Sequence, residues 1–206
     1  MSKLTKQEER ILENSFETIS REGIKNFTVD SFSQDIGMSK KTIYKFFPTK
    51  ETLIEKTMGF FTSLINRKFK SVLKSKDNPA IQFITIMDFI LKQSQIIPIS
   101  KVAELKSRYP NIWKKLEIFR LKRKEDFYII LKNGQDTGFV RTDIDVDIVA
   151  TLYINITNST FQPDFFLKNN LTPQNAVGTF LKIITQGIFT EKGIAELKNT
   201  KIYKEL

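Results

Sequence analysis

Glycine and proline are scarce in this chain, eight and six among 206 residues, and they fall between stretches whose apolar residues recur at helical spacing. Proline ends a helix because it has no N–H and its ring meets the preceding turn. Glycine ends one because it takes left-handed backbone without a Cβ penalty. Breakers so placed predict an all-α fold. No internal repeat or low-complexity tract interrupts the pattern.

The helix ends are signed. Thr5 and Glu8 stand at the spacing where each side chain satisfies the other's backbone N–H, and Leu12, Phe16 and Ile19 follow on one face. Gly23 suits the left-handed residue that closes this helix. Thr28 caps a short second helix with Val29, Phe32 and Ile36 inward, and Gly37 breaks it. Ser39 caps a third running to about Phe47. Pro48 stops that one, and Thr49 caps a fourth carrying Leu53, Thr57, Phe60 or Phe61, and Leu64. Asn78-Pro79 opens a helix to about Gln95 that is apolar nearly all round, the pattern of a central bundle helix. A short helix at about 100–108 and a long one from about Asn111 to Asn133 are expected next. Further helices run from Asp145 to about Thr160, from Thr172-Pro173 to about Phe189, and onward from Glu191.

The chain has no cysteine and no histidine. That excludes disulfides, thiol nucleophiles, Cys- or His-ligated metal sites, imidazole bases and Ser-His-Asp triads. No catalytic motif is visible, and neither a cofactor nor a metal is expected. The N-terminus carries charges where a signal peptide would be apolar, and no run approaches the ~18 apolar residues of a membrane span. A cytoplasmic location follows as the expectation. Lys and Arg number 33 against 23 Asp and Glu, a net +10 that points to an anionic partner.

The segment 37–50 holds Lys40, Lys41, Lys45 and Lys50 and no acid. Two short helices separated by Gly37 form a helix-turn-helix candidate. In the third helix Ile43 and Phe47 face inward, four residues apart. Lys40, Lys41, Tyr44 and Lys45 project elsewhere, able to reach guanine edges, phosphates or a thymine methyl in a major groove. Thr28, Ser39 and Lys50 sit at helix starts, where free N–H groups and the dipole attract phosphate.

These residues carry a resemblance. Phe16, Gly23, Thr28-Val29, Phe32, Gly37-Met38-Ser39-Lys40, Thr42-Ile43-Tyr44, Phe47 and Lys50-Glu51-Thr52-Leu53 are similar to the DNA-binding domain of the TetR/AcrR family of bacterial transcriptional regulators. Gly138, Arg141 and Asp145 also resemble that family's link to its dimerising helices. The resemblance implies an N-terminal three-helix DNA-binding domain (1–50) joined to a helical-bundle ligand-binding and dimerisation domain (51–206). The chain would be a homodimeric regulator, and a repressor, on a pseudo-palindromic double-stranded operator, released by a small-molecule effector through the helix beginning near Lys50. Its DNA contacts would be Thr28, Ser39, Lys40, Lys41, Thr42, Tyr44, Lys45 and Lys50. Ala150, Gly178 and Gly187 would allow close approach of two copies.

Charge arithmetic complicates this picture. Residues 1–60 hold ten basic and nine acidic side chains, residues 61–132 sixteen and six, and residues 133–206 seven and eight. The excess lies outside the head. On a continuous long helix, Arg120 and Arg123 share the apolar face of Ile112, Leu116, Phe119, Phe127 and Ile130. Three readings are open: the arginines snorkel to water, one pairs with Asp88, or one anchors an anionic effector in a Phe-lined cavity. The candidate effector site is Phe83, Met87, Asp88, Phe119, Arg120, Arg123 and Phe127, for an anionic or apolar ligand. The rival to DNA is an acidic protein or membrane held by the basic stretch Lys101 to Lys124. No membrane partner is expected.

Overall fold

The computed structural model describes residues 4–205. Thirteen helices occur among them: α1 (Lys6–Glu22), α2 (Val29–Asp35), α3 (Lys40–Phe46), α4 (Lys50–Leu73), α5 (Pro79–Ile96), α6 (Ile99–Arg108), α7 (Pro110–Leu121), α8 (Lys124–Asp136), α9 (Val146–Asn155), α10 (Pro163–Lys168), α11 (Pro173–Ile188), α12 (Glu191–Lys198) and α13 (Lys201–Glu205). No strand forms among the described residues, where an antiparallel bridge joins Val140 to Phe189. The all-α expectation holds.

The local chemistry of the head follows its side chains. Thr5 and Glu8 make both halves of the capping box, and Thr28, Ser39 and Asn78 each accept from a first-turn N–H. Thr49 does the same for Thr52. Gly23 has φ +84° but ψ 160°. It is extended mirror-image backbone, open to glycine, rather than the left-handed helical turn expected. Leu64, expected inward, is exposed.

Prolines obey the punctuation better than glycines. Pro79, Pro110, Pro163 and Pro173 begin helices, where the missing N–H has no intrahelical partner to lose. Gly59, Gly134, Gly178, Gly187 and Gly193 lie inside helices. Packing decides two of these. A Cβ on Gly134 would stand 2.4 Å from Val140 Cγ2, and one on Gly193 would stand 2.4 Å from the Phe139 carbonyl oxygen.

The long helix expected over 111–133 is two, α7 and α8, parted at Lys122–Arg123. There the Arg123 N–H turns back to the Arg120 carbonyl at 2.9 Å, a three-residue step that tightens the backbone and shifts the wheel beyond it. The helix from Asp145 ends in a π-helical turn, Ile156–Thr160, and α10 was not anticipated.

The chain divides into two compact units: the chain up to Ile65 with Ser100–Leu116, and Asn66–Ile99 with Glu117–Leu206. In the first, Ile11, Leu12, Phe27, Phe32, Ile43, Leu53 and Ile54 are buried in one cluster with Leu105, Ile112 and Trp113. In the second, aromatic rings run in sequence: Phe189 to Phe83 at 5.3 Å, Phe83 to Phe127 at 6.1 Å, Phe127 to Tyr153 at 4.2 Å and Tyr153 to Phe180 at 5.9 Å.

Candidate functional site

The helix-turn-helix is built by burying alternate faces of two seven-residue helices. Val29, Phe32 and Ser33 are buried on α2, and Ile43 on α3, with Phe47 just beyond. Gly37, at φ +63°, makes the turn, and the Met38 N–H closes it on the Ser33 carbonyl at 2.9 Å. Arg10 on α1 donates through Nη2 to the Ile36 carbonyl at 3.2 Å and pins the turn from behind. Burial of Ile43 alone on α3 leaves Lys40, Lys41, Tyr44 and Lys45 exposed on its other faces.

The eight residues expected at DNA come together here, though not all are equally available. Thr28 and Ser39 are exposed, and their hydroxyls already accept the Ser31 and Thr42 N–H groups, both at 3.1 Å. Thr42 shares its hydroxyl with Ser39 at 2.9 Å. Lys40 Nζ lies 2.5 Å from the Asp30 carboxylate, a solvated pair worth under about 1 kcal/mol that a phosphate can replace. Tyr44 is 41% exposed, high for a ring that packing does not require outside. Lys50 is half-buried with Nζ 5.9 Å from the centre of the Phe27 ring. Burial, and then the charge of Arg108, hold its ammonium below the usual lysine range.

The seven residues expected at an effector divide. Phe83, Met87 and Phe127 are buried core, with Met87 Sδ accepting the Tyr153 hydroxyl at 3.2 Å. Asp88 pairs with Lys92 at 2.7 Å rather than with either arginine. Arg120 and Arg123 are largely buried and do not snorkel. Arg120 Nε donates to Asn158 Oδ1 at 3.1 Å, on the π-helical turn. Burial lowers its pKa, and Glu117 opposes that. The Arg123 side chain is 15% exposed, with its guanidinium 4.9 Å from the Phe119 ring and 5.3 Å from the Phe69 ring. Its Nη1 donates to Asn66 Oδ1 at 2.9 Å and faces Asp126 Oδ2 at 3.0 Å. Burial raises the Asp126 pKa, and Arg123 counters part of that. Sequence reasoning missed Asn66, Asp126 and Asn158. Asp126 had a signal, its position three residues after Arg123; the two asparagines had none.

An open groove of about 470 Å³ lies elsewhere in this unit, lined by Tyr128, Lys132, Gln135 and residues 142–147, and holds none of those seven. Among the described residues no cluster of three acidic side chains suits a metal, and no helix is long and apolar enough to cross a membrane.

Comparison with known proteins agrees with this geometry. Residues 11–57, spanning α1 to the start of α4, match the family described as bacterial regulatory proteins, tetR family. The chain is 21% identical over 186 residues to an uncharacterized HTH-type transcriptional regulator, YvaF, of Bacillus subtilis (strain 168), covering 90% of this chain and 97% of that one. A TetR transcription regulator from Haloarcula marismortui ATCC 43049 superposes with TM-score 0.72 at 15% identity, covering 91% of this chain and all of that one. A putative transcriptional regulator from Saccharomonospora viridis, solved in complex with choline, gives TM-score 0.65 at 17% identity over 91% of this chain and all of that one. These neighbours are regulators rather than enzymes. With its exposed α3 on a head that matches the tetR family over residues 11–57, the chain is similar to DNA-binding transcriptional regulators of that family.

Proposed function

We propose that this regulator is a repressor that binds a pseudo-palindromic operator as a homodimer and releases it when a small anionic effector binds the second unit. The observation that carries the DNA reading is the exposed Lys41, Tyr44 and Lys45 face of α3 above buried Ile43. Two such helices would enter successive major grooves about one helical turn apart. Support for the dimer comes from α9 and α11. Ile148 and Leu152 on α9 and Ile183 on α11 are 56, 58 and 67% exposed, too apolar and too open for a solvated face. Gly187 is exposed one turn along α11 from Ile183, whereas Ala150 and Gly178 are buried within the protomer.

Support for an anionic effector comes from the burial of Arg120 and Arg123, since guanidinium pairs carboxylates in two-pronged geometry. A cation such as the choline held by the Saccharomonospora viridis protein would meet those charges unfavourably. Binding would favour one conformation by differential affinity and so lower operator affinity.

Selection of genomic fragments by the full chain identifies the operator. Tyr44→Ala and Lys45→Ala are each expected to weaken it by about 1–3 kcal/mol. Unchanged affinity in both variants overturns the interface. For the effector, Arg123→Lys keeps the charge and removes the planar fork. It is expected to bind operator normally while losing release by carboxylates found active on the wild type.

A further inference from the structure

Asn158 joins Arg120 to a second polar side chain. Its Oδ1 accepts from Arg120 Nε at 3.1 Å, and its main-chain carbonyl accepts from Gln162 Nε2. Asn158 stands in the π-helical turn Ile156–Thr160, which the Phe161 N–H closes on the Ile156 carbonyl at 3.0 Å. A π-helical turn is rare, and it recurs at functional sites.

Gln162 is the unusual member of this group. It stands just before Pro163 at the start of α10, but its side chain does not cap that helix. The residue is buried instead, 9% exposed. Its Nε2 is committed to the Asn158 carbonyl, and that fixes the amide, because Oε1 in the same place would set two acceptors together. Oε1 is buried and has no hydrogen-bond partner among the described residues. A buried acceptor left unpaired is unfavourable, and a donor that reaches it removes the penalty.

The surroundings suit an organic ligand. Phe161, next in the chain, is half-buried, as are Phe165 and Phe180. The Phe161 ring stands 5.8 Å from Phe165 and 5.5 Å, edge-on, from Phe180, which stacks on Tyr153 at 5.9 Å. Rings left partly open beside a few buried polar atoms resemble the lining of a small-molecule site more than closed core. Arg120 brings a largely buried cation to the same asparagine. One residue thus connects a positive charge to an unpaired acceptor.

We propose that Gln162 is a specificity-determining residue of the effector site. Its Oε1 accepts a hydrogen bond from a hydroxyl or N–H of the effector, while the effector's anionic group pairs with Arg120. The effector is then an organic anion that also carries a hydrogen-bond donor. This rests on the anionic-effector reading above. An analogue without the donor is rejected, because it leaves the buried acceptor unpaired.

The test is equilibrium binding to the full chain of benzoate, the isomeric monohydroxybenzoates and their methyl ethers, and of octanoate with its hydroxylated derivatives. At least one hydroxylated acid is expected to bind about tenfold more tightly than its parent. Its methyl ether, which keeps the oxygen and loses the donor, should lose that advantage. Gln162→Met, close in shape and without the acceptor, should bring parent and hydroxylated acid to within about twofold of each other by weakening the hydroxylated acid alone. Arg120→Lys should weaken both acids by one factor and keep their ratio. Gln95→Met, at an exposed position on α5, should match the wild type throughout.

A hydroxyl preference that survives Gln162→Met unchanged places the donor elsewhere and overturns the proposal. So does an equal loss of both acids in that variant, which would mean that Gln162 only holds the π-helical turn. Undiminished affinity in Arg120→Lys overturns it as well. Should Gln162→Met fail to fold, the wild type decides: an ether bound as tightly as the hydroxylated acid, or acids bound with no preference for a hydroxyl, overturns this proposal alone. A wild type that binds no acid of the panel, and is released from operator by none, overturns the anionic-effector reading and this proposal together.

Discussion

In the unit that holds the head, Lys41, Tyr44 and Lys45 stand exposed over a core of Ile11, Phe27, Phe32 and Ile43. In the other unit, Arg120 and Arg123 are folded into the interior, among Phe69, Phe119 and Asn158. The two units thus hold their cations in opposite places. A duplex is too large to enter a protein, so the charges that meet it are left outside the core. A small ligand can be enclosed, and enclosure strengthens each charge by removing water. On the proposed function, the difference in burial follows the difference in the size of the partner.

The largest expected effect probes whether the second unit's aromatic chain is closed core. Phe127→Ala should cost about 3–5 kcal/mol in chemical denaturation, because the ring is 2% exposed between Phe83 and Tyr153. A loss below about 1 kcal/mol would mean that the ring lines open space, and the contrast between the units would weaken.

Arg123→Ala comes next, at about 3 kcal/mol, since it leaves Asp126 buried and unpaired. Lys45→Ala on the exposed face should stay within about 0.5 kcal/mol in the same assay. Equal effects would break the comparison outright.

A pH experiment sharpens it. Asp126 is held above the usual carboxylate range, so the folded state keeps its proton to higher pH than the unfolded chain does. The stability this contributes is fully present below the unfolded value of about 3.9 and is lost as pH rises through the raised folded value. Asp126→Asn should remove that decline from the stability profile. Arg123→Ala should move the Asp126 titration, followed by carboxyl NMR, still higher, because Arg123, ahead of Lys70, is the larger of the two charges that lower it.

The smallest effect lies at the turn. Gly37→Ala should cost about 1 kcal/mol, from its φ of +63° alone, because nothing stands within 4 Å of the added Cβ. A larger loss would mean that the turn is packed and not merely bent.

The head was legible because its signals are local. Thr5 with Glu8, Thr28, Ser39 and Gly37 each act on backbone within four residues, and Ile43 and Phe47 mark the inner face by spacing alone. The second unit was less legible for the opposite reason. The helical wheel placed Arg120 and Arg123 on an apolar face, and both are buried, but the wheel assumed one helix where the chain breaks at Lys122–Arg123. It also favoured no partner, and Asp88, the acid in view, belongs to Lys92. Asn66 and Asn158 reach the arginines from α4 and the π-helical turn, 57 and 38 residues away. Glycines at 134 and 193 read as punctuation, yet they are clearances for Val140 and the Phe139 carbonyl.

By itself, then, the order of residues determined helix type, most helix starts and the exposed lysine and tyrosine face of α3, because caps, breakers and spacing act over a turn or two. Only the tertiary structure decided which charges are buried and whose partners they are. It also decided that residues 100–116 join the head's core and carry their basic surplus with them. Those outcomes depend on contacts between segments tens of residues apart, and the free energy of such a contact belongs to neither segment alone.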